Sequence, residues 1–571
     1  MSLSPKCGTP WGLTACLSAF ALLSFFGVEA QCQTFQPAFN LSNDAGGAED
    51  HQIATIGNNV YAVWSDSTPG NFEIFFRRST DGGATWNATV NLSSTPATSR
   101  FPQMAVSGNN IFIVWDDYSD FNAAHKIMLR RSTDGGSTFA ASQQVSDDSS
   151  SVQHCFANIA AGANLALPYW QDCRPSNSQG AVFRRSADAG ATFGIVQNFS
   201  TGNDTKIIVN GSNIYIVGSS LSRDALVFIR STDSGASFES AKDLASPHVG
   251  VNDFVAAGTN LYLIWQSVNL IQNDFNVYFT QSHDNGTTFT LPANLSNLSN
   301  QGSALNARLK ILDQTIYAVW SESDPQTGLP PFPTKTDTFF RRSSDGGATF
   351  GTKVNLSNSK NSILPELAVG GDSVYVTWSN TDGVSPNVDD IIVRASRDRG
   401  VTFNPAINLS NNGHSAQPHL THSNGSADLI WKDFFAGNGD IIFRRSVPAP
   451  TLLTYESSER AIAVDSVTLL RDPFPFSTLH NFSSDQRTRI MLFATNVGLL
   501  QGEGAAAVTC QAEDSQHRTF VMPVEYVGSL PGVPSITQID VRFSDGLSPG
   551  DVTVSITVHG LTSNRALITM K

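Results

Sequence analysis

The chain is short of charge, short of helical patterning and short of positive residues. Charged residues make up only 15% of its 571 positions, and no stretch repeats apolar residues at helical spacing. Small polar and turn-forming residues take their place, which excludes a helical bundle and favours short strands joined by tight turns. Lys and Arg number 35 against 49 Asp and Glu, a net charge of −14. Nucleic acid and anionic membrane surfaces, which reward a basic face, are therefore not expected partners. Beyond the N-terminus no apolar run is long enough to span a membrane. No Asp-x-Asp-x-Asp-Gly or zinc-like Cys spacing occurs, so neither a metal nor a cofactor is expected.

The N-terminus itself carries Lys6, an apolar stretch from Leu13 to Val28, and Val28-Glu29-Ala30 as a cleavage site. This predicts a secretory signal over 1–30 and a secreted or cell-surface location. A retained helix and a lipid anchor on Cys32 are the alternatives, the second weakened by Gln31 before it. Cleavage leaves Cys32, Cys155, Cys173 and Cys510 in an oxidising compartment.

What is abundant is one turn. Phe75 to Trp86 reads FFRRSTDGGATW, and close copies centre on Asp81, Asp134, Asp188, Asp233, Asp284, Asp345 and Asp398. The intervals of 53, 54, 45, 51, 61 and 53 residues mark a repeat architecture. Each unit also has an apolar run ending in Trp64, Trp115, Trp170, Trp265, Trp320, Trp378 or Trp431, and an eighth run ends at Gly218. Four short strands per unit and eight units describe a β-propeller. The last unit lacks its fourth strand, and Pro37 to Ser42 forms an orphan one, so the N-terminal strand is expected to close the ring. Seven copies around a ring cannot all serve one substrate, so the aspartate turn is structural. The paired arginines before it are structural for the same reason.

The spacing Ser79-x-Asp81-x-Gly83-x-Thr85-Trp86 resembles the Asp box of the sialidase superfamily (BNR-repeat propellers) over residues 34–446. The resemblance implies a functional face opposite the boxes, built by loops between strands. It also implies, for an enzyme, three arginines, a tyrosine–glutamate pair and an acid/base aspartate. The family's Arg-Ile-Pro motif is absent, and its enzymes have six blades where eight units are counted here. Arg100, Arg174, Arg223 and Arg308 stand outside the repeat and, with Tyr118, are the catalytic candidates.

Counting twelve residues back from each Trp position gives Gln52, Gln103, Asn158, Lys206, Asp253, Arg308, Glu366 and His419. All are polar, and each precedes an apolar residue at the start of an innermost strand. They are expected to ring the channel mouth, either as a solvated funnel or as a site for a glycan or other extracellular ligand. The loops after the Trp runs hold Asp66, Asp116, Asp117, Asp120, Asp172, Glu322, Asp324, Asp389, Asp390 and Asp433, which predicts an acidic face. Hairpin arithmetic centred on residue 164 sets Cys155 opposite Cys173, close enough for a disulfide.

Val447-Pro448-Ala449-Pro450 ends the repeat. Residues 451–571 alternate as short strands and predict an immunoglobulin-like β-sandwich. Three functions are compatible with the sequence: a recognition module, an exo-acting glycoside hydrolase of sialidase type, and a cell-surface structural protein.

Overall fold

The structure is a computed structural model. It describes residues 35–571 except 44, 120–124, 148–153, 173–179, 200, 203, 221–223, 247–249, 270–273, 299–301, 324–335, 360, 382–388, 424, 436–438, 447–449, 457, 479–482, 500–502, 531–532 and 559–560. The predicted signal peptide, Cys32, Cys173, Arg174 and Arg223 lie outside the described residues.

The described chain is all-β and propeller-like, with one short 3-10 turn at Ala505–Ala507. Residues 39–445 form eight four-stranded antiparallel sheets. In seven of them the four strands follow one another in sequence, as in Ala48–Ile56, Asn59–Asp66, Glu73–Ser79 and Val90–Asn91. The eighth is composite: Ser415–Ser423, Ser426–Asp433 and Asp440–Arg445 are completed by Phe39–Asn40, which pairs with Phe443 and Ile442.

Neighbouring sheets share their cores. Tyr61, Val63 and Phe76 of the first sheet pack with Ile111, Ile113 and Trp115 of the second. In the same way Ile430, Ile441 and Phe443 of the eighth pack with Val60, Ala62 and Trp64 of the first. Each second strand is thus covered on both faces. The run Val60 to Trp64 is at most 1% exposed at every residue. Double-sided burial, not half-burial, is why these strands are continuous apolar runs.

The repeated turn is satisfied within itself. Ser79 Oγ donates to Asp81 Oδ1 (2.7 Å), and Thr85 donates through its amide to Oδ1 (2.9 Å) and through its hydroxyl to Oδ2 (2.5 Å). The same bonds recur at Asp134, Asp188, Asp233, Asp284, Asp345 and Asp398. The turn glycine is required: Gly286 has φ +81°, and a Cβ there would stand 2.3 Å from the Phe228 ring. The closing aromatic sits edge-on against the preceding sheet, as Phe289 does on Phe228 at 5.0 Å.

Arginines before the turn clamp sheet to sheet. In four of the five pairs the first arginine donates backward to a leucine carbonyl oxygen, as Arg130 does to Leu92 (2.8 Å) and Arg444 to Leu409 (2.9 Å); Arg184 instead reaches Asp147 (3.1 Å). In four pairs the second donates forward into the next turn, as Arg78 does to Gly135 O (2.8 Å) and Arg131 to Ala189 O (3.0 Å). Arg445 of the eighth sheet reaches Gly82 O of the first in the same way.

Residues 451–570 form two five-stranded sheets around one core of their own, which includes Ile490, Leu492, Ile539, Val541, Val554 and Ile568. Val508–Glu513 and Ala566–Met570 are among their ten strands. Cys510 lies in this core as a free thiol, its pKa pushed up to about 12 by burial.

Candidate functional site

Seven of the eight innermost strands are longer than the sequence suggests, because each of these starts before a β-bulge. The second sheet's inner strand runs Thr98–Ser107, with its register shifting between Arg100 and Gln103. Equivalent shifts occur in six other sheets. At six bulges the residue two before the ring position is left-handed: Asp50, Phe101, Phe156, Asn306, Leu364 and Gln417 have φ of +52 to +58°. Phe and Leu resist this conformation, at a cost of about 1–3 kcal/mol each. The bulge re-aims the side chains around it. Asp50 and Asn306 suit a left-handed position, but the two phenylalanines, Leu364 and Gln417 conceal the pattern from a sequence reader.

All eight ring candidates occupy one register position, opposite the residue before the Trp position. Gln52 faces Val63, Gln103 Val114, Asn158 Tyr169, Lys206 Val217, Asp253 Ile264, Arg308 Val319, Glu366 Thr377 and His419 Ile430. Seven of them lie mid-strand, after the bulge, whereas Lys206 opens its strand, Lys206–Asn210, which has no bulge. Five of them, Gln52, Gln103, Arg308, Glu366 and His419, line a central cavity of ≈ 350 Å³ together with Asp50, His51 and Phe101. Residues of five sheets therefore meet there. Gln52 Nε2 donates to Gln103 Oε1 (2.9 Å), and Arg308 Nε to Glu366 Oε1 (3.0 Å). His419 meets His51 edge-on at 5.1 Å. Burial, and then the His419 charge, hold the His51 pKa well below its ordinary value; burial also lowers that of His419. Both rings are neutral at pH 7. His51 Nε2–H donates to Gln417 O (2.8 Å), which leaves Nδ1 without a partner among the described residues.

Gln103, Asn158 and Lys206 line a lateral cavity of ≈ 370 Å³ with Phe101, Phe156, Tyr169, Gln171, Asp204, Thr205 and Val251. It opens beside the sheet whose Trp position is Gly218, where a Cβ would meet Thr205 Oγ1 at 3.0 Å and Thr201 Cβ at 3.1 Å. Asp253 serves the main chain, its two oxygens accepting from Phe254 N (2.9 Å) and Leu309 N (2.9 Å).

The catalytic candidates do not assemble among the described residues. Arg100 faces Asp116 across the second sheet, but its guanidinium is taken by Asp50 (2.9 Å) and Glu49 and lies over the rings of Phe72 (4.6 Å) and Phe101 (4.9 Å). Tyr118 is buried and stacked on His125 at 4.4 Å, and burial raises its pKa. Arg308 stands in the sixth sheet, paired with Glu366. Sequence reasoning missed Asp50, Phe101, Phe156 and Gln171, which line the cavities without belonging to the ring count.

The expected acidic face is not formed by the loop carboxylates that the structure describes in detail. Asp66, Asp116, Asp117 and Glu322 are buried. Asp66 accepts from Thr68 N (2.8 Å), and Glu322 from Trp320 Nε1 (2.9 Å) and Lys353 Nζ (2.6 Å). Asp390 accepts from Gly413 N (2.9 Å) and Asp433 from Phe435 N (2.8 Å). These carboxylates brace loops because their donors come from the following strand and turn. Asp120 and Asp324 fall outside the described residues. No group of three or more metal-ligating side chains occurs among the described residues, nor a helix long and apolar enough to cross a membrane. Cys155 faces Gln171, and not residue 173: the hairpin pairs Ala161 with Ala166, one residue off the expected register, and the bulge between Cys155 and Asn158 shifts it by one more.

No protein-family model matches the chain, and no curated protein matches it. Among solved structures it is similar to polysaccharide lyase Uly1, 9% identical over 70% of this chain and 89% of that one, with a TM-score of 0.40. It is similar to the phage phi92 endosialidase at 10% identity, 93% and 87% coverage and a TM-score of 0.36. The Hadza microbial sialidase Hz136 is 14% identical over 70% of this chain and 65% of that one, with a TM-score of 0.31. Identities and scores this low leave function to be argued from the site.

Proposed function

We propose that this chain is a secreted or cell-surface recognition protein that binds a saccharide at the mouth of a single closed eight-bladed propeller. The observation that carries the proposal is the central cavity. Planar donors and acceptors of five sheets (two amides, a guanidinium–carboxylate pair, an imidazole) surround ≈ 350 Å³ beside Phe101 on its strained bulge. Sugar hydroxyls need donors and acceptors close together, and sugar C–H faces pack on aromatic rings. Eight different side chains at one register position supply specificity that the repeating frame cannot.

The rest of the architecture belongs to the same proposal. A signal over 1–30 directs export, residues 34–446 form the ring, and 451–571 an immunoglobulin-like sandwich that spaces or attaches it. Cys155 and Cys173 form a disulfide beside the third sheet.

A glycan array followed by calorimetry on the best hit tests the function. Gln103→Ala is expected to weaken binding about tenfold, the value of one good hydrogen bond. Absence of any hit, or a hit unaffected by Gln103→Ala and Glu366→Ala, removes the central cavity from the account. Hydrolysis is the second reading, favoured by Arg100, Asp116 and Tyr118 sharing one sheet edge. It is weaker because Arg100 and Arg308 are already ion-paired. Release of fluorophore from a sialoside, lost in Tyr118→Phe, would reverse that order.

A further inference from the structure

We propose that the lateral cavity is a subsite for a sugar acid, with Lys206 as the cation for its carboxylate and Gln171 as the acceptor for a ring hydroxyl. The inference rests on the saccharide reading and adds the charge class of the ligand.

Lys206 is half-buried in the cavity wall, and among the described residues nothing accepts a hydrogen bond from its ammonium. The carboxylates that act on its charge, Asp253, Asp204 and Glu366, are engaged elsewhere, Glu366 with Arg308. Asp204 accepts from Ser219 N (2.8 Å) and Val251 N (2.8 Å), and Asp253 from two main-chain amides. A positive charge held half out of water without a hydrogen-bonded partner is costly, and an incoming anion relieves it.

Gln171 supplies the independent observation. Its side chain is 3% exposed, its Nε2 donates to Gly202 O (3.0 Å), and its Oε1 has no partner among the described residues. A buried amide oxygen in this state seeks a donor, and a hydroxyl is one. Phe156, left-handed and 66% exposed, offers its ring at the rim as a face for sugar C–H groups. One ammonium, one acceptor and one aromatic face match a monoanionic, hydroxylated ring. They do not match a dianionic phosphate, which would leave a charge uncompensated near Asp204 and Asp253.

The central cavity differs in its charges. Arg308 and Glu366 neutralise each other there. The two cavities share Phe101 and Gln103, so adjoining residues of one chain of sugars reach both.

Calorimetric and ligand-observed NMR titration of the full mature protein with glucuronate and with glucose tests the inference. The wild type is expected to prefer glucuronate by ~10- to 100-fold, the range of one charge-assisted contact. In Lys206→Met that ratio falls to about one, and in Lys206→Arg it is largely kept, with thermal unfolding showing that both variants fold. Equal binding of the two sugars by the wild type, or a preference that survives Lys206→Met, overturns the sugar-acid subsite and leaves the saccharide reading in place. Binding of neither sugar, with no hit on the array, overturns both.

Discussion

Asp116 holds a proton that ordinary aspartates release. It is 2% exposed, and burial raises its pKa to about 7; the amides of Ala157 and Phe156 oppose the shift and the Asp50 charge adds to it. The unfolded chain releases this proton near pH 4. Between about pH 4 and 7 the folded state therefore binds the extra proton, and the stability Asp116 contributes falls as pH rises through that window. Asp116→Asn removes the titration. It is expected to change stability little at pH 4 and to stabilise by about 1–3 kcal/mol at pH 8, measured by urea unfolding at both values. A variant equally destabilised at both would show that the carboxyl is needed for its hydrogen bonds and not penalised for its charge. The turn aspartates behave in the opposite sense. Hydrogen bonds from Thr138 and Ser132 hold Asp134 below the usual carboxylate range. Its contribution is complete above about pH 4 and is lost as pH falls toward the folded value.

Between elements, the paired arginines carry the coupling. Arg130 spans from the second sheet to Leu92 O of the first, a bond of ordinary value. Arg445 does more. It reaches Gly82 O and also stands 3.5 Å from Asp428, which is fully buried and whose pKa burial raises to about 6 against the pull of Arg445. Arg130→Ala is expected to cost about 1–2 kcal/mol, the range for one charge-assisted bond. Arg445→Ala should cost about 3–5 kcal/mol, because it leaves a buried carboxyl without its cation. Thermal unfolding of the two variants side by side checks the difference; equal losses would mean that Asp428 is neutral in the folded protein whatever Arg445 does.

At the scale of the molecule, the meeting of the eighth sheet with the first is the point where sequence neighbours no longer help. Phe39–Asn40 pairs with Asp440–Arg445, Thr55 Oγ1 lies 2.9 Å from Thr421 Oγ1, and His51 binds Gln417 O. These contacts join residues more than 360 positions apart, so their formation closes the longest loop in the fold. Deletion of residues 35–42 is expected to leave the Asp440–Arg445 strand as an open edge, to lower the unfolding temperature and to promote association. Light scattering during a thermal ramp reads both effects. A truncated protein as monomeric and stable as the parent would show that the orphan strand is dispensable for closure. The central cavity should fail with it, since His51 and His419 come from the two sheets being joined.

Much of this was legible in the sequence because it is local. The aspartate turn is satisfied by hydrogen bonds spanning two to four residues, so its chemistry survives as a spacing and repeats wherever the turn does. Strand pairing is almost as local. A count from each Trp therefore lands on one register position from Gln52 to His419. Four features lay beyond reach. The bulges are not marked by residues that favour them, since Phe101 and Phe156 adopt a conformation that their own preference opposes. The loop carboxylates turn inward because donors such as Gly413 N are presented to them by the next loop. Arg100 binds Asp50 of the preceding sheet, fifty residues away. The Lys206 ammonium and the Gln171 Oε1 are left without hydrogen-bond partners among the described residues, in a cavity lined from more than one sheet. Sequence by itself determined the repeat, its turns and the polar position, since each is decided by neighbours along the chain. Only the tertiary structure decided which of those polar groups spend their hydrogen bonds on the fold and which are left unspent, since that choice is made by residues brought together from different sheets.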